Sequence, residues 1–247
     1  MLESITQKEI ARIDQEGNRR EIIVEPFANY FAARVQKDMN GSNTLIGGMV
    51  TTTNRNLSED YLVSSMHKAA YSGGVDFTQH WKNKTYYVHL KAAYSRVLGS
   101  KEAIYETQTS SPHFYQRPGT KHLRVDSART SLDGYGGTFQ IGKAGNSKWM
   151  YTFWITMRSP GFNLNDIGYL NRNDEIQQVA WVGFRQREPF SVFRSMNLNV
   201  NQWYATTFGM ERRYYGGNVN GYVEFVNFWE FGFGTDREGK SLSTETL

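Results

Sequence analysis

The stretch from Phe190 to Phe233 alternates with a period of two over an unusual length, and this constrains the fold more than any other feature. Its even positions read Val192, Met196, Leu198 and Val200, interrupted by Arg194, against Ser195, Asn197, Asn199 and Asn201 at the odd ones. Such a period belongs to a strand with one apolar and one polar side. After Tyr214-Tyr215-Gly216-Gly217, which reads as a turn-rich gap, Val219, Val223, Phe225, Trp229, Phe231 and Phe233 share one parity. Asn218, Asn220, Glu224 and Glu230 share the other, with Val226 and Phe228 mixed in. Ordinary globular strands peak at roughly five or six residues, and both runs are far longer.

The same reading predicts strands at 28–37, 43–53, 67–81, 85–97, 132–143, 149–158, 175–187, 190–208 and 218–234. Tyr71, Val75, Phe77 and Trp81 oppose Ser72, Asp76, Thr78 and His80; Tyr86, Val88, Leu90, Ala92 and Tyr94 oppose His89, Lys91 and Ser95. Hairpin-sized connections at 38–42, 82–84, 144–148 and 188–189 alternate with mostly longer ones at 54–66, 98–131, 159–174 and 209–217. That alternation fits an all-β, antiparallel up-and-down transmembrane β-barrel, with brief turns at one membrane surface and extended loops at the other. An open sheet edge in hydrocarbon leaves backbone groups unpaired at several kcal/mol each. The expectation is therefore a partial barrel of about nine or ten long strands that belongs to a larger barrel chain, or one completed by an unrecognised end segment.

Composition permits this reading. Aromatic residues make up 15% of the chain and glycines number 23 against 5 prolines, which favours strands and tight turns over helices. A mean hydropathy of -0.60 is compatible with a barrel, because half of each strand faces a polar lumen. No run of about 18 apolar residues exists, so a helical span is set aside. The lack of cysteine removes disulfides and thiolate chemistry together. Net charge is +4, and the basic residues are dispersed; the Glu211-Arg212-Arg213-Tyr214-Tyr215 spot reads as a solvated tip, so no nucleic-acid partner is expected. Residues 1–24 read as a polar lead, a short helix or disorder with Glu16-Gly17-Asn18 as a stop signal, then a brief strand at 20–24 before Pro26. Residues 25–236 form the barrel segment and 237–247 a polar tail. Residues 1–20 hold no secretory apolar region, which suggests a cytoplasmic chain or a piece of something longer.

Several strings resemble one family. They are Tyr30-Phe31-Ala32-Ala33-Arg34-Val35-Gln36, Gly47-Gly48-Met49-Val50-Thr51-Thr52-Thr53-Asn54-Arg55 and Ser159-Pro160-Gly161-Phe162-Asn163-Leu164-Asn165-Asp166-Ile167-Gly168-Tyr169-Leu170. Ser111-Pro112-His113-Phe114-Tyr115-Gln116-Arg117-Pro118, Phe193-Arg194-Ser195-Met196-Asn197-Leu198-Asn199 and Asn201-Gln202-Trp203 add to them. Together they resemble the barrel region of the family called domain of unknown function 5916, from about Glu25 to Gly234. The resemblance implies an outer-membrane location, outer-membrane lipid as a partner, and carbohydrate as a further one, since members commonly carry an amino-terminal family 9-like carbohydrate-binding domain. Many members are labelled hydrolases, without a catalytic apparatus to transfer. This chain lacks that domain, a signal peptide and a terminal aromatic barrel strand, which favours an internal fragment.

Candidate site residues follow from the polar rows and the longest loop. Asp76, His80, His89, Lys91, Asn197, Asn199, Asn201, Glu224 and Glu230 are expected to face a lumen. Glu102, His113, Tyr115, Gln116, Arg117 and Asp166 are candidates for recognition or constriction in loops, where binding residues concentrate. No metal-ligand spacing links the histidines, although His80 and His89 could meet across a hairpin. Glycoside hydrolysis needs two close carboxylates, and nothing in the sequence joins Asp126, Asp133, Asp166 or Asp174. Gly134-Tyr135-Gly136-Gly137 lacks the context of a phosphate cradle and reads as a bend, a bulge or room for a neighbouring ring. Trp81, Trp149, Trp203 and Trp229 fit interfacial girdles better than sugar platforms. No catalytic, metal or cofactor residues are assigned. The leading expectation is a pore, transporter or anchor; the alternatives are a soluble β-sandwich carbohydrate-binding module and a membrane-associated hydrolase.

Overall fold

The computed structural model describes residues 1–145 and 147–239. Asn146 of the expected 144–148 turn and residues 240–247 of the expected tail lie outside the described residues. The chain order is β1 (Leu2–Thr6), β2 (Glu9–Gln15), β3 (Asn18–Glu25), β4 (Phe27–Met39), β5 (Thr44–Asn56), α1 (Asp60–Ser65), β6 (Ala69–Trp81) and β7 (Tyr86–Leu98). It continues with α2 (Lys101–Thr109), β8 (Ser131–Lys143), β9 (Trp149–Arg158), β10 (Glu175–Gln186), β11 (Phe193–Thr206), β12 (Arg212–Phe225) and β13 (Glu230–Glu238). One antiparallel sheet of 11 strands runs β1-β4-β5-β6-β7-β8-β9-β10-β11-β12-β13, and β2 with β3 makes a separate hairpin. Among the described residues the sheet is open, with β1 and β13 as its edges.

The strands correct the sequence reading in three places. Residues 1–19, expected as a helix or disorder, form strands, while the brief strand expected at 20–24 falls within β3: Glu16 (φ 53°) and Gly17 (φ 83°) make a two-residue hairpin turn, and Asp14 accepts from the Gly17 N–H at 2.9 Å. The same Glu-Gly-Asn punctuation stops a helix or turns a hairpin, and the sparse isoleucines do not decide between them. The expected strand 218–234 is two strands joined by a turn at 226–229, where Phe228 has φ 66°. Val223 pairs with Phe231 and Gly221 with Phe233, so odd positions stay on one face through the turn and hide it from a period-two reading. Tyr214 to Gly217, expected in a loop, belong to β12.

Register assigns every strand a polar and an apolar face. Directly opposed residues Asp76, Lys91, Thr138 and Thr156 cross β6 to β9 on the polar face, and the row one pair further along is Gly74, Ala93, Gly136 and Arg158. The opposite face carries large apolar side chains that no other part of the described chain covers: Val35 is 74% exposed, Val75 63%, Phe231 57% and Trp149 56%. Turns at one end are short. The other end carries 57–68, 99–130 and 159–174, which fold back over the polar face, and the brief link 207–211.

The principal buried cluster lies beneath those loops, on the polar side. Ala70, Val97 and Leu132 are register partners on β6, β7 and β8, and Ile104 of α2, Tyr115 and Leu123 seal them. Ser100 caps α2 by accepting from the Ala103 N–H at 3.1 Å, which fixes where the helix begins over this floor.

Candidate functional site

The polar face is divided into a loop-capped end, a groove beneath it, and an amide-and-indole patch on the later strands. In the cap, the buried polar groups are gathered into hydrogen-bonded networks. Asp166 joins Arg55 of β5 to His67, accepting from His67 Nδ1 at 2.8 Å, while His67 Nε2 meets Thr107 Oγ1 of α2 at 2.7 Å. Burial resists the Asp166 charge, but hydrogen bonds from His67 and Arg55 hold its carboxyl below the usual range. Carboxylate, imidazole and hydroxyl stand in the order of a hydrolase triad. Thr107 Oγ1 also donates to the Ala103 carbonyl at 2.9 Å within its own helix and is buried, so the chain of bonds ties α2 to both flanking loops.

A second network centres on Asp174, which accepts from Arg117 at 2.6 Å, from His122 at 3.0 Å and from the Phe208 N–H at 2.9 Å. Its neighbour Glu175 accepts from Arg213 at 3.0 Å and Arg158 at 3.2 Å, with Arg172 at 3.7 Å. His113 donates from Nδ1 to the Pro160 carbonyl at 2.8 Å and accepts from Asn163 Nδ2 at 3.3 Å, so it is held as the neutral ring. Its burial pushes the pKa down to about 4. Tyr115 is buried in the apolar cluster, which pushes its hydroxyl up to about 12.

His113, Tyr115, Arg117 and Asp166 are therefore interior parts of the cap. Glu102 lies exposed in the first turn of α2, its carboxylate favoured by its own backbone N–H and by Ser100. Gln116 is exposed and donates to the Thr109 carbonyl at 2.8 Å. Of the acids weighed for hydrolysis, Asp126 pairs with Arg129, Asp133 lies by Tyr94 and Arg96, and Asp166 and Asp174 hold the separate networks above. The geometry brings no two of them into one acid-base pair.

Asp76, His80, His89, Lys91, Asn197, Asn199, Asn201, Glu224 and Glu230 share one face of the sheet by register. His80 and His89 do meet, with ring centroids 5.9 Å apart, and Tyr87 packs against both. Glu224 and Glu230 are direct partners across β12 and β13, and Arg194 reaches Glu224 at 2.8 Å. The asparagines form a ladder: Asn199 donates to Asn220 at 3.0 Å, Asn201 to Asn218 at 2.7 Å, and Trp181 Nε1 to Asn199 at 3.2 Å. Trp154, Trp181 and Trp203 stand on this same face. Trp203, expected in an outer girdle, instead packs over Gly216, where a Cβ would come within 2.7 Å of its ring. Trp81 and Trp149 are on the apolar face, and Trp229 is in the exposed turn at 226–229.

The groove is a cavity of about 770 Å³ between the cap and the middle of the sheet, lined by Arg34, Asp76, Lys91, Arg158, Phe162 and others. Arg34, Arg158, Trp154 and Trp181 were not singled out in the sequence. Alternation alone gives their face, since each falls on the polar parity of its strand. What the sequence does not carry is that loop 159–174 turns inward to line the groove with Arg34 and Arg158.

A family model described as a domain of unknown function (DUF5916) matches residues 1–242, which includes the lead as well as the large sheet. No curated protein matches the chain.

Proposed function

The chain belongs to the DUF5916 family, and we propose that it forms part of the wall of an outer-membrane β-barrel, serving as pore, transporter or surface anchor. One observation carries the reading: the apolar face is bare while the polar face holds the loops and buried networks. A water-soluble β-sheet domain buries its apolar face under a second layer. A membrane barrel turns that face to lipid and keeps polar groups inside.

The apolar face is banded in a way that supports this. Tyr71, Tyr94, Tyr135, Tyr204 and Tyr215 stand toward its looped end, and Trp81, Tyr86 and Trp149 toward its turn end. Between them are Val75, Leu90, Phe139, Ile141, Val182 and Val200. Trp81 lies ten residues after Tyr71, about 33 Å at 3.3 Å per residue. A strand tilted by about 40° turns that into roughly 25 Å of height, the thickness of an outer-membrane apolar band. Strands β1 and β13 offer unpaired edges, and in lipid these need the remainder of a larger barrel chain.

The patch of Trp154, Trp181 and Trp203 beside the asparagine ladder favours carbohydrate as what such a lumen handles, because sugars stack on indoles and bond to amides. The test of the membrane reading is partition. The full chain is expected to enter detergent micelles or lipid vesicles and to show heat-modifiable migration on a gel. A chain that stays monodisperse and folded in detergent-free buffer overturns the reading in favour of a soluble module.

A further inference from the structure

We infer that the groove beneath the cap is a binding site for a small oxyanionic solute, one bearing a carboxylate or phosphate. The inference goes beyond the membrane reading, since it concerns only the polar face and requires the sheet and cap alone.

The floor of the groove is Gly74, Ala93 and Gly136, three register partners with little or no side chain, and the Phe162 ring stands over Gly136 at its edge. Arg34 and Arg158 lie toward its two ends, and Asp76, Lys91, Thr138 and Thr156 run along one side. Phe162 and Leu164 come down from loop 159–174 as part of the lining. The charges do not balance. Arg34 reaches diagonally to Asp76 at 2.9 Å across Gly47, where a Cβ would collide with both side chains. The one acid of the lining is thereby drawn toward Arg34. Lys91, directly opposite Asp76 in register, has no ion pair among the described residues.

At the other end Arg158 pairs with Glu175, a carboxylate that Arg213 and Arg172 also approach. Three cations thus border a cavity that contains one carboxylate, and the Thr138 and Thr156 hydroxyls, 3.1 Å apart, lie beside Lys91. Half-enclosed cationic walls concentrate anions, and charge-assisted hydrogen bonds to oxyanions are stronger than neutral ones. A cation, or a neutral solute without an anionic group, makes no use of this imbalance.

The test is titration of the chain, folded in whichever of detergent or detergent-free buffer holds it monodisperse, with glucuronate, glucose 6-phosphate and glucose as carboxylate, phosphate and neutral probes. Either or both anions are expected to bind, and which one identifies the group recognised; glucose is expected to bind at least about tenfold more weakly. Lys91→Met is expected to weaken anion binding by about tenfold or more, the loss of one charge-assisted contact. Asp76→Asn removes the competing carboxylate and is expected to strengthen it. Equal binding of glucose, no binding of either anion, or Lys91→Met and Asp76→Asn variants that move affinity in the same direction overturn the proposal. Thermal unfolding of each variant reports its fold separately, and the titration stands whether or not the chain also partitions into lipid.

Discussion

Gly136 and Phe162 are fitted to one another: a Cβ on Gly136 would stand 2.9 Å from Cε1 of the Phe162 ring, so the ring sits where a side chain would be. One pair along β8, Gly134 lies under the loop backbone itself, where a Cβ would overlap the Gly161–Phe162 peptide. These glycines seat loop 159–174 on the polar face. A flexible ring can tilt, whereas a peptide held by the Asn163 N–H bond to Ser95 Oγ (2.9 Å) cannot move without opening the cap. Gly134→Ala is therefore expected to destabilise the cap more than Gly136→Ala, by at least about 1–3 kcal/mol as for other overpacked sites. Limited proteolysis in 99–130 checks it, with faster cleavage expected in the Gly134 variant.

Arg55 and Asp166 are each 8% exposed at the side chain, so their charges depend on one another. Asp166→Asn leaves a buried guanidinium uncompensated, which typically costs about 3–5 kcal/mol. Replacing both, as Arg55→Met with Asp166→Leu, is expected to cost less than Asp166→Asn alone. His67 loses its acceptor with Asp166→Leu, whether or not Arg55→Met accompanies it, so the difference between Asp166→Leu and the double variant reads the unpaired Arg55 charge. Thermal unfolding of the single and double variants compares the two.

The strands are largely legible because a period of two is local: the pattern gives β9 its observed bounds, and most others theirs within a few residues. The same locality explains the failures. An even-sum register at Val223 and Phe231 carries parity across a turn, so β12 and β13 merge into one apparent strand. The β2–β3 hairpin depends on two residues, Glu16 and Gly17, in left-handed conformations that sequence only weakly signals. In Gly134-Tyr135-Gly136-Gly137 the sequence did show room for a neighbouring ring, but not that the ring belongs to Phe162. Likewise Tyr115, Arg117 and Asp166 look like exposed recognition groups in a polar loop. Their burial comes from long-range partners, 57 residues away for Arg117 and Asp174 and 111 for Arg55 and Asp166, which no local pattern encodes.

His113 gives the cap a pH dependence with a definite sign. Its folded pKa, lowered to about 4, lies below the roughly 6.5 of an unfolded histidine. Above pH 6.5 both states are neutral and the full contribution is present. Between about 6.5 and 4 the unfolded chain takes a proton that the folded one refuses, so stability falls by up to about 1.4 kcal/mol per pH unit, on the order of 3 kcal/mol in all. His113→Gln is expected to be less stable at pH 7.5, yet to lose less than the parent chain between pH 7.5 and 5. Melting temperatures of both proteins at the two pH values isolate the histidine from the other titrating groups.

Val75 and Thr78 lie on the same strand, on opposite faces, and distinguish a lipid-facing wall from a water-facing one. Val75 is 63% exposed on the apolar face between Tyr71 and Trp81, while Thr78 stands in the polar row beside His89. In water, an arginine at so exposed a position as Val75 is within about 0.5 kcal/mol of neutral. In a bilayer, an arginine on the lipid face near the midplane costs about 2–4 kcal/mol, and one facing the lumen costs little. Val75→Arg is therefore expected to lower the folded fraction in lipid vesicles at intermediate urea well below that of Thr78→Arg, read from heat-modifiable bands on a gel. Equal folded fractions for the two variants mean that hydrocarbon does not contact the Val75 face.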